Sequence, residues 1–375
     1  MNVPFLDLKR QHASIAPEVE RAVQGVLESQ RFILGPEVGL LEQEIATLCA
    51  TAHGVGVASG TDALILALLA LGVGPGDEVI TSPFSFFASA SSITRVGARP
   101  VFADIDPLDY NIDPDAVRRA VTPRTRAVIA VHLFGQCADV DRIRRAATEA
   151  PEGPDRRIAI VEDAAQAIGS SRSGRPAGSI GDAGCFSFYP TKNLGGAGDG
   201  GMLVTNDAAL AERVRRLRAH GDAGRYDHRE IGLNSRLDTL QAAVLLVKAR
   251  HLPLWTELRR QRASIYDREL AGVGGLTPPL QHSDCIHTYH QYVVRTPRRG
   301  DLARFLGEAG IGTAVYYPIP LHRQRCFASL GHGEGDFPAS ESAAREVLAL
   351  PIFPELTDSE QSRVVDVIRT FFAKG

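Results

Sequence analysis

Short apolar runs alternating with helical patterns through the first two thirds of the chain constrain its fold more than any other feature. Val55–Ala58, Glu78–Thr81, Arg99–Ala103 and Ala127–His132 read as buried strands, and Ile158–Val161 is a fifth that ends abruptly in Glu162 and Asp163. Asp139–Ala150 has a helical pattern between the last two, and Pro17–Ser29 reads as a helix opened by a proline in its first turn. Strands that alternate with helices favour a mostly parallel sheet with helices on both faces. The predicted class is α/β.

Beyond the alternating region, Leu237 to His251 reads as a long helix rich in Ala, Leu and Val. It continues past Pro253 into a second amphipathic stretch, Thr256–Leu270. The texture then changes. Ala271–Thr277 looks like a linker, His290–Arg295 like a strand and Leu302–Gly307 like a helix. At 375 residues the chain exceeds the roughly 250–300 residues at which one core stops growing. Two units are therefore predicted: residues 1–250, N-terminal arm included, carrying the central sheet, and a smaller C-terminal α/β unit, 251–375.

A net charge of -3 argues against a general nucleic-acid or membrane-surface binder. Asp7, Lys9 and Arg10 stand where a signal peptide needs an unbroken apolar core. The longest apolar stretch, Ala63 to Leu71, is far short of the roughly 20 residues that span a bilayer. Five scattered cysteines without CxxC spacing point to reduced thiols and a cytoplasmic protein, and suggest no metal site. Arg213, Arg215, Arg216 and Arg218 read as a solvent-facing stripe on a helix.

Three segments carry chemistry. In IAIVEDAAQAIGS a buried strand delivers two acids at its carboxyl end, where parallel sheets bind ligands. A carboxylate there needs a cationic or polar partner, because burying an unpaired charge is costly. Asp163 could pair with a protonated ring nitrogen, with Gln166 one turn on; the other reading is a helix-capping aspartate. In CFSFYPTKNLGGAGDGG an aromatic strand from Phe186 to Tyr189 is ended by Pro190-Thr191, and Lys192 follows on a turn before five glycines. Such a loop lets backbone approach a ligand, and a lysine held beside a cationic ring can have a lowered pKa and form a Schiff base. In VGVASGTDALILALLALG a strand runs into Ser59-Gly60-Thr61 and then a helix, which makes a ready anion site of the helix N-terminus, with Ser187 offering a second hydroxyl. The alternative there is a simple Ser/Thr cap.

Taken together these segments resemble the DegT/DnrJ/EryC1/StrS sugar aminotransferases, a branch of the fold-type-I (aspartate aminotransferase-like) enzymes that use pyridoxal 5′-phosphate (PLP). The resemblance runs from VPFLDLKRQ and FILGPEV through ASGTDAL, VHLFGQ, EDAAQAIG and SFYPTKNLGGAGDGG to IGLNSRLDTLQAA, HQYVVR and YYPIPLH. It implies that Lys192 holds the cofactor as a Schiff base and moves the proton. It also implies that Asp163 pairs with the pyridinium nitrogen, Gln166 meets the ring hydroxyl, and Gly60, Thr61 and Ser187 cup the phosphate. Phe86 falls where the family stacks a ring on the cofactor face; the alternative is a core phenylalanine beside Phe84 and Phe87. Asn234 matches a residue that reaches the phosphate from a neighbouring subunit, which implies a homodimer with shared sites.

Substrate contacts are read more openly. Arg225, Tyr226, His228 and Arg229 form a basic, aromatic patch that could hold a nucleotide diphosphate or be a solvated loop face. Tyr317 and His322 match a segment near the sugar site, although His322 could equally be a satisfied structural histidine. The implied reaction moves an amino group from L-glutamate, through pyridoxamine phosphate, to a keto sugar carried on dTDP or UDP. VHLFGQ looks more like the 3-amino-forming members than the 4-amino ones. Sugar dehydratases of the same family carry histidine where this chain has Lys192. A PLP-binding regulator without turnover is the reading from another functional class.

Overall fold

The computed structural model describes residues 1–154 and 157–373, so the last two residues of the predicted C-terminal unit lie outside the described residues. In chain order the first half holds α1 (Leu8–Ser29), α2 (Pro36–Leu48), β1 (His53–Val57), α3 (Gly60–Ala70), β2 (Glu78–Thr81), α4 (Ala88–Arg95), β3 (Arg99–Phe102), α5 (Pro114–Ala120), β4 (Thr125–Val131), α6 (Val140–Thr148) and β5 (Ala159–Asp163). There follow the short β6 (Ser171–Arg172) and β7 (Arg175–Pro176), then β8 (Ala183–Ser187), β9 (Gly201–Thr205), α7 (Ala208–Leu217) and α8 (Thr239–Leu270). The remainder holds β10 (Cys285–Ile286), β11 (Tyr292–Arg295), α9 (Arg299–Glu308), α10 (Pro338–Glu346), β12 (Val347–Leu350) and α11 (Asp358–Ala373).

The central sheet has the strand order β1-β9-β8-β5-β4-β2-β3. β3, β2, β4, β5 and β8 pair in parallel, and only β9 runs the other way, antiparallel to both β8 and β1. The carboxyl ends of β1, β2, β4, β5 and β8 therefore emerge on one edge, where a sheet of this kind binds its ligand. α3 is apolar on every side, which suits a helix enclosed by its neighbours. Leu64, Leu66 and Leu68 are all buried, and each contributes on the order of 2 kcal/mol. That packing fixes the N-terminus of α3 over the end of β1.

The predicted strands agree with β1 to β5 within two residues at each end, and two helices differ. α1 begins at Leu8, nine residues before the predicted start, because the Asp7 carboxylate caps it by accepting from the N–H groups of Lys9 and Arg10. Pro17 thus lies inside the helix rather than at its first turn. The two stretches around Pro253 are one helix, α8. Its first half (Ala242, Leu245, Leu252) packs with the β8–β9 side of the sheet, and its second half (Ala263, Tyr266, Leu270) packs with β11, β12 and α11. Residue 250, the boundary expected from sequence, falls in the middle of this helix. The N-terminal arm packs against the C-terminal part of the chain: Val3 sits in the same cluster as Tyr266 and Tyr292 and bridges to Ile311.

The arginine stripe is not solvated as expected. Arg218 is buried, with Nη1 on Glu42 Oε1 and on the Gly56 carbonyl, and Arg213 and Arg216 both pair with Glu230. All five cysteines are free thiols. Among the described residues no helix is long and apolar enough to cross a membrane.

Candidate active site

Where β1, β5 and β8 end, a cavity of about 740 Å³ opens between the central sheet and the segment 315–324. Asp163 is the last residue of β5 and is buried. Side chains alternate across a strand, so Asp163 faces this cavity while Glu162 faces the other side of the sheet. There Glu162 accepts from the N–H groups of Gly178, Ile180 and Gly181 and from His132 Nε2. His132 Nδ1 accepts from the Ala138 N–H, so the ring proton sits on Nε2. Of the two acids at this strand end, one is structural and one serves the cavity.

Asp163 Oδ2 accepts from Ser89 Oγ at 2.7 Å, and Ser89 in turn contacts Ser85 Oγ at 2.8 Å. Its Oδ1 accepts a longer bond, 3.3 Å, from the Ala165 N–H. No described cation lies within ion-pair distance of it. A buried carboxylate held only by neutral donors is suited to a cation that arrives with a ligand.

Lys192 follows β8 and lines the same cavity. Burial pushes its ammonium down to about 8, against the opposing pull of Asp163. His290 lies on the same wall, and burial together with the charges of Lys192 and Arg259 holds it well below its ordinary range. An amine that titrates near neutrality is the form needed for Schiff-base chemistry.

The anion cup is built from three strands' ends. Ser59 Oγ caps α3 by accepting from the Asp62 N–H at 3.1 Å, which leaves the Gly60 and Thr61 N–H groups open at the helix start. Ser187, at the end of β8, lies against that start: a Cβ on Gly60 would meet Ser187 Cβ at 2.7 Å. Gly201 is required for a similar reason, since a Cβ there would come within 2.4 Å of the Ser59 backbone.

Gln166 is fixed at both ends. Its Oε1 accepts from the Phe134 N–H at 2.7 Å and its Nε2 donates to the Tyr317 hydroxyl at 2.9 Å. Burial raises the Tyr317 phenol, which keeps it protonated. Phe84 is the core phenylalanine of its segment, whereas Phe86 is half exposed and lines the cavity, 6.3 Å from the Tyr317 ring. The neighbour Phe87 also borders the cavity and packs against Phe327.

Lys192, Asp163, Gln166, Gly60, Thr61, Ser187, Phe86 and Tyr317 thus meet in one cavity, and the other predicted residues do not. His322 is buried and does not line it, with Nε2 on Glu341 Oε1 at 3.1 Å. Arg225, Tyr226, His228 and Arg229 are exposed on a loop outside the cavity, and Arg229 pairs with Asp227. Asn234 is exposed as well, bridged to Ala219. Ser89 and Ser85 were missed by sequence reading. The spacing of two serines four apart at the start of a helix, beside Phe86, was the available signal.

A flat cationic ring that bears a phosphate fits this arrangement. The unpaired carboxylate, the open helix N-terminus and the lysine supply one complementary group for each of its ends. The DegT/DnrJ/EryC1/StrS aminotransferase family matches residues 13–369 of the chain. A Geobacillus stearothermophilus chain named pleiotropic regulatory protein is 51% identical over 374 residues, 99% of each chain. The dTDP-3-amino-3,4,6-trideoxy-alpha-D-glucose transaminase of Streptomyces venezuelae is 45% identical over 368 residues, 98% of this chain and 95% of that one. Among solved structures, S. venezuelae DesV in complex with ketimine intermediate superposes with a TM-score of 0.95 at 44% identity, covering 99% of this chain and 98% of that one.

Proposed function

The chain belongs to the DegT/DnrJ/EryC1/StrS aminotransferase family, and on that premise we propose that it transfers the amino group of L-glutamate to a 3-keto sugar carried on dTDP or UDP. The observation that carries the reading is the meeting, in one cavity, of Lys192 with the buried Asp163 carboxylate, which has no described cation within ion-pair distance, and burial pushes the Lys192 ammonium down to about 8. PLP, when bound, supplies the electron sink that makes the donor's α-proton acidic.

The residues divide the work. Asp163, oriented by Ser89, holds a proton on the ring nitrogen. Gln166, locked by Phe134, presents its amide to the ring hydroxyl, and the α3 N-terminus with Thr61 and Ser187 binds the phosphate. Phe86 covers one ring face. Lys192 would anchor the cofactor and, displaced by the incoming amine, serve as the base that takes the proton from the donor's α-carbon and delivers it to the cofactor carbon on the far side of the amine nitrogen. The two halves of the reaction use the same groups in opposite order.

A homodimer with shared sites is part of the proposal. Tyr226 and Ile231 are 92% and 96% exposed on the loop that also carries Arg225 and Arg229, and large apolar groups standing in solvent suit a partner surface. Asn234, exposed nearby, would then serve the other subunit's phosphate. We also propose the division into a sheet unit and a C-terminal unit, joined through α8, and a cytoplasmic location, which the free cysteines support.

The regulatory alternative is supported by the similarity to the Geobacillus stearothermophilus pleiotropic regulatory protein. A visible spectrum separates the two. The cofactor-loaded protein is expected to be yellow, to bleach with L-glutamate, and to recover its colour with a dTDP- or UDP-linked 3-keto sugar, whereas Lys192→Ala does not regain the wild-type spectrum. Wild-type protein that stays yellow in L-glutamate favours the regulator.

A further inference from the structure

The turn that carries Lys192 is held from two sides. Its glycine side is tied to α8: Gln241 Oε1 accepts from the Ala197 N–H at 2.8 Å, and Lys248 Nζ donates to the Gly195 carbonyl at 2.7 Å. Its lysine side is tied through Asn193, the buried polar side chain next to Lys192. Asn193 Nδ2 donates to the Thr288 carbonyl at 3.0 Å, and its Oδ1 meets His290 Nδ1 at 3.2 Å.

These two bonds fix a tautomer. The Thr288 carbonyl can only accept, so Asn193 turns its NH2 towards it and its oxygen towards the imidazole. That oxygen can only accept in turn, so the proton of His290 sits on Nδ1. Burial and the charges of Lys192 and Arg259 oppose a second proton on the ring. His290 therefore donates to Asn193 without competing with Lys192 for a proton.

The segment that supplies His290 is itself pinned. Thr288 N–H donates to the Gly135 carbonyl at 3.0 Å, Gln291 N–H donates to the Phe134 carbonyl at 3.3 Å, and Arg259 Nη1 donates to the Tyr289 carbonyl at 3.1 Å. Gly135 is required there, because its φ is +107° and a Cβ would come within 2.7 Å of Thr288 Oγ1. Phe134 also holds Gln166, so the same contact positions both the lysine and the glutamine.

Building on the transamination reading above, we propose that Asn193 and His290 form a latch that positions Lys192, with His290 a positioning residue reaching it from a segment 97 positions away. The lysine has to keep its place when an incoming amine displaces it, since a misplacement of about 1 Å can cost about 100-fold in rate. The latch holds the main chain of the turn fixed while the amine of Lys192 moves.

The test uses the full chain, with and without cofactor, and L-glutamate as the probe. His290→Phe and Asn193→Leu each open the latch; retained yellow colour and melting temperature report that each has folded. Either variant is expected to bleach about tenfold more slowly at saturating L-glutamate, with the half-saturating concentration changed less than about twofold. His290→Asn, whose amide can donate where Nδ1 does, is expected to recover most of the rate. The double variant is expected to be no slower than the slower single one, because both changes open one latch. In cofactor-free protein, reductive methylation across pH, read by peptide mass spectrometry, follows the titration of Lys192. In His290→Phe that titration is expected to move up from about 8 towards the ordinary lysine range, as the freed amine reaches water. Nitrogen NMR of histidine-labelled wild type, with His290 assigned by comparison with His290→Asn, is expected to show a neutral ring protonated on Nδ1. A proton on Nε2 overturns the latch, as do single variants with wild-type rate and titration, or losses that multiply in the double variant. Wild-type protein that stays yellow in L-glutamate overturns the transamination reading alone, and the tautomer and the lysine titration still decide the latch.

Discussion

Gln166 Nε2 donates to the Tyr317 hydroxyl at 2.9 Å, joining residues 151 positions apart in the cavity wall. The amide cannot turn over, because the Phe134 N–H already occupies its oxygen. One side chain thus ties β5's end, the segment after β4 and the 315–324 segment into a single wall.

That geometry orders two substitutions. Gln166→Leu leaves the buried Phe134 N–H unpaired and is expected to cost about 1–3 kcal/mol. Tyr317→Phe leaves Gln166 held by Phe134 and is expected to cost less than about 1 kcal/mol. Melting of the cofactor-free proteins checks the order; a Tyr317→Phe variant less stable than Gln166→Leu would contradict the locked amide.

Lys192 gives a pH signature in the cofactor-free protein. Its folded pKa, about 8, lies below the ordinary lysine value of about 10.4, so the unfolded chain binds more protons between those two values. Stability from this group therefore rises with pH from about 8 to about 10.4, and its cost is fully present below about 8. Cofactor-free Lys192→Met is expected to be more stable than wild type at pH 7, by about 1–3 kcal/mol, with the gap closing above pH 10. A gap that is flat with pH would mean the amine is not desolvated.

Asp163 and Ser89 separate charge from orientation. Asp163→Asn removes the counter-charge of the ring nitrogen and is expected to slow bleaching by L-glutamate on the order of 10²-fold. Ser89→Ala keeps the charge but removes the 2.7 Å bond that aims it, and is expected to weaken PLP affinity about fivefold. Stopped-flow spectra and cofactor titration measure the two effects; equal losses in both quantities for both variants would show that orientation and charge are not separable here.

Glu162 is a test of structure rather than chemistry. Glutamine at this position offers one acceptor oxygen where three backbone N–H groups and His132 Nε2–H now converge. Glu162→Gln is expected to destabilise the fold by about 3 kcal/mol, read by denaturant unfolding. Unchanged stability would argue that the 178–181 turn is held elsewhere.

The proposed sharing of sites between two subunits predicts complementation. Lys192→Ala and Asn234→Ala are each expected to lose activity, yet mixed chains that exchange partners should regain about a quarter of the wild-type rate, since random pairing leaves one intact site in each heterodimer. No recovery after verified exchange would place Asn234 outside the neighbouring site.

Much of the site was legible because each of its segments is local. Ser59-Gly60-Thr61 reads as a strand running into a helix, Asp163 and Gln166 share one turn, and Lys192 sits between an aromatic strand and glycines; short-range backbone geometry suffices to propose each. Local sequence leaves Phe86 open to a core or a cavity position; in the fold Phe84 takes the core position and Phe86 borders the cavity. The arginines of α7 show the opposite failure. Their spacing resembles a solvated face, and nothing local reveals that Glu42, 176 positions from Arg218, comes to meet it.

By itself the sequence determined the order of strands and helices, the edge of the sheet that carries the chemistry and the residues standing on it, since hydrophobic period and turn chemistry are properties of neighbouring residues. Only the tertiary structure decided that Ser89 aims Asp163, that Tyr317 closes on Gln166 while His322 turns away to Glu341, and that the N-terminal arm lies over a second cavity bordered, like the lysine's, by Thr191, Gln291 and Tyr316. Those outcomes depend on which distant groups burial brings together, and a buried polar group takes whichever partner the completed packing leaves within reach.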